Sequence, residues 1–120
     1  MSNTQAVRDF CSAWERRDLD GIVNAVSEDC HYENIGYPPI VGREAIREFV
    51  QGFVQGATDV TWEIRHIAET ADGTVLTERV DAFTIGGNEV SVAVMGAFEF
   101  RDGLICAWRD YFDTKGTDLG

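Results

Sequence analysis

Apolar residues recur every three to four positions through the first half of the chain and every second position through the rest, which divides it into a helical and a stranded portion. Val7, Phe10, Cys11 and Trp14 form one stripe behind the capping candidates Ser2, Asn3 and Thr4, and Leu19, Ile22, Val23 and Val26 form a second behind Asp18. A third, Ile46, Phe49, Val50, Phe53 and Val54, is bounded by Gly42 and Gly56. Each stripe gives its helix one face to bury. Between the second and third, Cys30 to Asn34 alternates as a short strand and stops at Gly36 and Pro38-Pro39. Further strands are predicted near residues 59–69, 74–85, 88–100 and 104–112, separated by Asp72-Gly73, Gly86-Gly87 and Arg101-Asp102-Gly103. Strands joined by such short turns form an antiparallel meander. The expected class is therefore α+β, a curved and mostly antiparallel sheet with the N-terminal helices on its concave face.

Two strands break their own pattern. In Thr77-Glu78-Arg79-Val80-Asp81 and in Trp108-Arg109-Asp110-Tyr111-Phe112, an aspartate stands where an apolar residue is expected. A carboxylate inside a sheet costs several kcal/mol unless a partner holds it, and Arg79 lies two residues from Asp81, on the same face. If Gly86-Gly87 closes a two-residue hairpin, Asp81 faces Val92 and Arg79 faces Val94. A three-residue Arg101-Asp102-Gly103 loop then brings Asp110 opposite Val94 and Trp108 opposite Gly96, on the face of Arg79. A two-residue Asp102-Gly103 turn sends Asp110 to the other face. The three-residue loop is preferred because it seats bulky Trp108 beside Gly96, a glycine suited to a bend or a close approach. The alternative is that Arg79 and Asp81 are solvated strand charges of little consequence. Leu76, Val80 and Ala82 on the strand's other side argue against it, since neither face then reads as plainly exposed. A homodimer through Ile105, Ala107 and Tyr111 is expected to cover that outer surface.

At 120 residues and 13.3 kDa, the chain is expected to form one domain, residues 1–120. Its formal charge of −11, from 21 acidic and 10 basic residues, opposes binding to nucleic acid or to anionic membrane surfaces and leaves small apolar molecules as the expected ligands. Cys11, Cys30 and Cys106 lie in apolar patterns and read as buried thiols, and His31 and His66 complete no metal-ligand spacing, so neither a metal nor another cofactor is expected. The N-terminus lacks the basic and apolar regions of a signal peptide, for which a cytoplasmic location is the default expectation. The polar tail from Thr114 is expected to be loose.

Tyr32-Glu33-Asn34, the Gly36-Tyr37-Pro38-Pro39 break followed by Gly42-Arg43, the motif Thr77 to Asp81 and the run Trp108 to Asp113 together resemble the limonene-1,2-epoxide hydrolase family, part of the wider NTF2-like or SnoaL-like cone fold. The resemblance spans roughly residues 5–113 in order. It implies that Asp110 is the base activating water, Asp81 the acid protonating an epoxide oxygen, and Arg79 the bridge between them, with Tyr32 and Asn34 holding the water. Trp108, Val92, Val94, Phe83 and Phe98 are expected to wall the pocket, with helical aromatics Trp14, Phe49 and Phe53 in the core and some of their edges reaching the cavity. The implied activity is a cofactor-independent hydrolysis of an apolar or cyclic epoxide to a vicinal diol. No nucleophile-elbow Gly-x-Ser-x-Gly is present that would point to a covalent intermediate. Only seven residues follow Asp113, fewer than the family's C-terminal helical segment needs, so a more open cavity is expected. The alternatives are a SnoaL-like cyclase or ketosteroid-isomerase-like proton shuttle, and a non-catalytic binding protein of the same fold.

Overall fold

The computed structural model describes residues 2–113, so the expectation for the tail from Thr114 lies outside the described residues. Its elements run α1 (Asn3–Glu15), α2 (Leu19–Asn24), β1 (Val26–Asn34), β2 (Ile40–Val41), α3 (Arg43–Gly56), β3 (Ala57–Glu69), β4 (Val75–Ile85), β5 (Asn88–Arg101) and β6 (Leu104–Phe112). The Ser2 hydroxyl caps α1 by accepting from Gln5 N at 3.1 Å, and the Asp18 carboxylate caps α2 from Gly21 N at 3.0 Å. Helix α2 is shorter than its stripe. Val26 already begins β1, because its buried side chain serves the strand as well as it would serve another helical turn.

One six-stranded sheet has the order β2-β1-β6-β5-β4-β3. The four long strands form the expected meander, whereas β1 lies parallel to β6 and carries the short, unforeseen β2 on its edge. Extra residues in β3, between Thr58 and Thr61 and between Ile64 and His66, shift its register against β4 and bend the strand. Helix α1 packs chiefly on β3 and α3 against β1, so the helices share one face of the sheet. Between them and the sheet lies the core: Val7, Phe10 and Trp14 from α1, Ile46 and Val50 from α3, and Trp62, Phe98, Ile105 and Trp108 from the strands. Each such side chain contributes about 1.5–3 kcal/mol by leaving water. Phe10 points edge-on at Trp108 with ring centroids 5.1 Å apart, a favoured aromatic arrangement.

The turn between β5 and β6 differs from expectation. Arg101 pairs with Leu104, so Asp102 and Gly103 form a two-residue turn, both at positive φ (54° and 79°). Aspartate tolerates the left-handed conformation that this hairpin type needs at its first central position. By alternation alone Asp110 would then face outward. It does not, because Phe100 pairs with Ile105 and Glu99 with Ala107, leaving Cys106 as an inserted residue that flips the remainder of β6. Asp110 consequently faces Gly96, not Val94, and Trp108 faces Phe98. The two-residue turn itself sets Ile105 opposite Phe100 and into the core, 1% exposed, which removes it from the outer surface expected of it. The insertion leaves Cys106 only partly buried, unlike Cys11 and Cys30.

Candidate active site

Strand alternation sends Thr77, Arg79 and Asp81 of β4 to the helix-covered face. Their partners on β5 are Gly96, Val94 and Val92, as the Gly86-Gly87 hairpin predicts. Asp110 lies across Gly96 from Thr77, two pairs along from Arg79 and on the same face. Arg79 has no exposed surface, and its guanidinium closes the gap diagonally. Nε donates to Asp81 Oδ1 at 3.0 Å and Nη2 to Asp81 Oδ2 at 2.8 Å. Nη1 and Nη2 donate to Asp110 Oδ1 and Oδ2 at 3.2 and 3.1 Å. Each carboxylate is thus held by a two-pronged contact, the arrangement guanidinium geometry favours. The cation also stands 4.6 Å from the ring centre of Trp62, on which Trp14 stacks at 4.6 Å.

Trp108 adds a third donor to Asp110, its Nε1 lying 3.1 Å from Oδ1. On the neighbouring β1, Tyr32 pairs with Trp108 and Asn34 with Asp110. Tyr32 stacks on Trp108 at a centroid distance of 3.8 Å, and its hydroxyl accepts from Asn34 Nδ2 at 3.0 Å. The five residues Tyr32, Asn34, Arg79, Asp81 and Asp110 therefore converge, from three strands that are far apart in sequence. Gly96 makes the convergence possible. A Cβ there would stand 2.5 Å from Arg79 Nη1 and 2.8 Å from Asp110 Oδ1.

Burial pushes both carboxyls above the ordinary aspartate range, and the charge and hydrogen bonds of Arg79 oppose the shift in each. Burial alone would lower Arg79, but Asp110 and Asp81 outweigh it and keep the guanidinium firmly protonated. Burial likewise raises the Tyr32 phenol, which stays neutral. One fixed positive charge can balance one carboxylate. The second is held most cheaply as the neutral acid; Asp110 receives three donors and Asp81 two, and these bonds favour the charged form of each.

Above this set opens a cavity of about 260 Å³. Its polar lining includes Tyr32, Asn34, Asp81 and Asp110, and its walls are apolar, among them Trp62, Phe83, Val92 and Val94. Two expected wall residues lie deeper: Trp108 and Phe98 have no exposed surface and back the site from within the core. Phe49 reaches the cavity, as expected of the helical aromatics, but at 40% exposed it is not part of the core; it lines the cavity with Tyr37, Pro38 and Phe112. Thr77 is the site neighbour that motif reading passed over. Its hydroxyl accepts from Arg79 Nη1 at 3.1 Å, and the available signal was its place two residues before Arg79 on the same face.

Over residues 1–117 the chain matches the limonene-1,2-epoxide hydrolase catalytic domain. It belongs to that family. The epoxide hydrolase EphG of Mycobacterium tuberculosis is 40% identical over 109 residues, 90% of this chain and 71% of the relative. The solved structure of an M. tuberculosis epoxide hydrolase resembling the limonene enzyme is 34% identical, covers 96% of this chain and 85% of its own, and superimposes with a TM-score of 0.86. A SnoaL-like polyketide cyclase structure from Shewanella denitrificans reaches the same TM-score at 14% identity, covering 94% and 91% of the two chains, a likeness of fold alone. The α+β architecture of the family is thus the expected cone. Among the described residues no helix is long and apolar enough to cross a membrane.

Proposed function

We propose that the protein is a cofactor-independent epoxide hydrolase that adds water in one step to an apolar or cyclic epoxide and releases a vicinal diol. The observation that carries the reading is a fully buried guanidinium bonded at once to two carboxyls that line an apolar cavity. Family membership and the name of the M. tuberculosis relative point to the same substrate class. Opening an epoxide requires a proton to leave the attacking water while another reaches the departing oxygen. Asp110, which receives the more hydrogen bonds, takes the first; Asp81 gives the second. Tyr32 and Asn34, beside Asp110 in the cavity lining, orient the water. A carbon–oxygen bond forms from water to one ring carbon as the ring carbon–oxygen bond breaks, and both electrons of that bond stay with the oxygen Asp81 protonates. The turnover leaves Asp110 protonated and Asp81 ionised, so a proton must return between them before the next cycle. Raised carboxyl titration suits Asp81, because an acid must still hold its proton at working pH. A cyclase or isomerase working with a single acid/base would leave the second carboxyl without a task.

Incubation with limonene, cyclohexene and styrene oxides tests the reading. Wild type should give diol, and Asp81→Asn and Asp110→Asn should each lose about 10²- to 10⁴-fold in kcat. Absence of diol from wild type, or retention of activity by either variant, contradicts it. Tight binding without turnover would favour a non-catalytic pocket.

The outer face is read as a homodimer contact that keeps the expected Tyr111 but not Ile105. With Ile105 turned inward, the exposed apolar groups are Leu76, Met95 and Tyr111, contiguous across β4, β5 and β6. The Arg109–Glu99 ion pair spans β6 and β5, and a His66–Glu78 hydrogen bond spans β3 and β4. A polar border around an apolar patch fits a second copy of the chain. Light scattering should return twice the chain mass, and Met95→Glu should shift it to the monomer.

A further inference from the structure

A guanidinium has five N–H donors in one plane, and five hydrogen bonds leave Arg79. Two go to Asp81 and two to Asp110. The fifth, from Nη1, goes to Thr77 Oγ1 at 3.1 Å. We propose that Thr77 is a positioning residue that fixes where Arg79 stands between the two carboxyls, and thereby how one proton is divided between Asp81 and Asp110. The proposal rests on the acid/base reading above and adds to it a residue outside the converging set of five.

Thr77 is 1% exposed and is not part of the cavity lining, so it reaches the reacting atoms only through Arg79. Its hydroxyl oxygen shares with Asp110 Oδ1 and Arg79 Nη1 the space left free by Gly96, all three lying within 3.0 Å of the missing Cβ position. Remove that acceptor, and one N–H of a buried cation has no partner. The guanidinium can regain one only by moving, and a movement within its plane changes the bonds to the two carboxyls unequally. The pairs are coupled through a single rigid plane. Division of the proton then changes although neither aspartate has been touched.

Thr77→Val keeps the shape and removes the acceptor, Thr77→Ala removes it without the branched methyls, and Thr77→Ser keeps it. Two measurements are made on each, after circular dichroism has established folding: kcat and KM across pH with styrene oxide, and the pH titration of Asp carboxyl carbons by ¹³C NMR. In Val and Ala, kcat should fall by roughly 10- to 100-fold, with KM near wild type, and the carboxyl titrations should move. Ser should restore both. Should Val not fold, Ala carries the comparison. Wild-type carboxyl titrations in both acceptor-free variants, or a Ser variant as altered as they are, would overturn the proposal. Because the carboxyl titration needs no turnover, it decides the role of Thr77 even if wild type opens no epoxide, an outcome that counts against the epoxide hydrolase reading alone.

Discussion

Gly96→Ala puts the smallest possible side chain at the point where the site is tightest. The new carbon would lie 2.5 Å from Arg79 Nη1, 2.8 Å from Asp110 Oδ1 and 3.0 Å from Thr77 Oγ1. Ordinary contact begins at 3.4 Å, so moving Nη1 from 2.5 Å to that limit requires a retreat of roughly 0.9 Å. Arg79 has no slack for this, since all five donors are engaged and Trp62 stands beside the cation. Alanine would relieve the entropic penalty of a strand glycine, about 0.5–1 kcal/mol, but overpacking costs about 1–3 kcal/mol, so a modest loss of stability remains. A displacement near 1 Å at a reacting group lowers the rate by about 10²-fold, equivalent to about 2.7 kcal/mol of barrier. Gly96 is not part of the cavity lining, so KM should hardly change. Initial rates of diol formation and a thermal melt measure both effects. A Gly96→Ala enzyme with the kcat and Tm of wild type would refute the claim that the three polar groups are locked against that backbone.

Arg79→Met should destabilise by about 3–5 kcal/mol near neutrality, because two buried carboxyls lose the cation that bridges them. Without it their folded-state titration rises further above the unfolded value; a carboxyl so raised favours folding below its unfolded pKa and loses that contribution as pH climbs through its folded one. Urea denaturation should therefore find a smaller deficit in acid, and an equal deficit at both pH values counts against the charge argument. Trp108→Phe keeps an aromatic ring against Tyr32 and Phe98 but removes the N–H that favours ionised Asp110, so the acid limb of the rate profile should move to higher pH. A limb that stays in place would deny Trp108 that influence.

Much of this protein was legible in its order of residues. The helical stripes, the period-two strands and the glycine turns name nearly every element, because each reports which face must leave water and where the backbone must reverse. Arg79 and Asp81 were legible as partners because spacing of two on a strand is itself a statement of shared face. The Gly86-Gly87 hairpin gave their neighbours on β5 correctly. Asp110 was placed on the right face by a wrong route: the turn has two residues, and the insertion at Cys106 restores the alternation that the shorter turn would have reversed. A bulge leaves no mark in hydrophobic periodicity when a small residue such as cysteine suits both sides. Tyr32 and Asn34 reached Asp110 through resemblance, since the parallel pairing of β1 with β6 joins segments some 75 residues apart and no local pattern encodes that contact.

Residue types and their spacing thus determined that a guanidinium and carboxylates would be forced into the interior, since the strands that bear them have apolar neighbours on both sides. Tertiary structure alone decided that the guanidinium would serve both acids, that Gly96 would make room for it, and that Thr77 would accept its fifth hydrogen bond. Those are distances between strands, set by register and one inserted residue, and a shift of a single position would have sent Asp110 to the opposite face of the sheet.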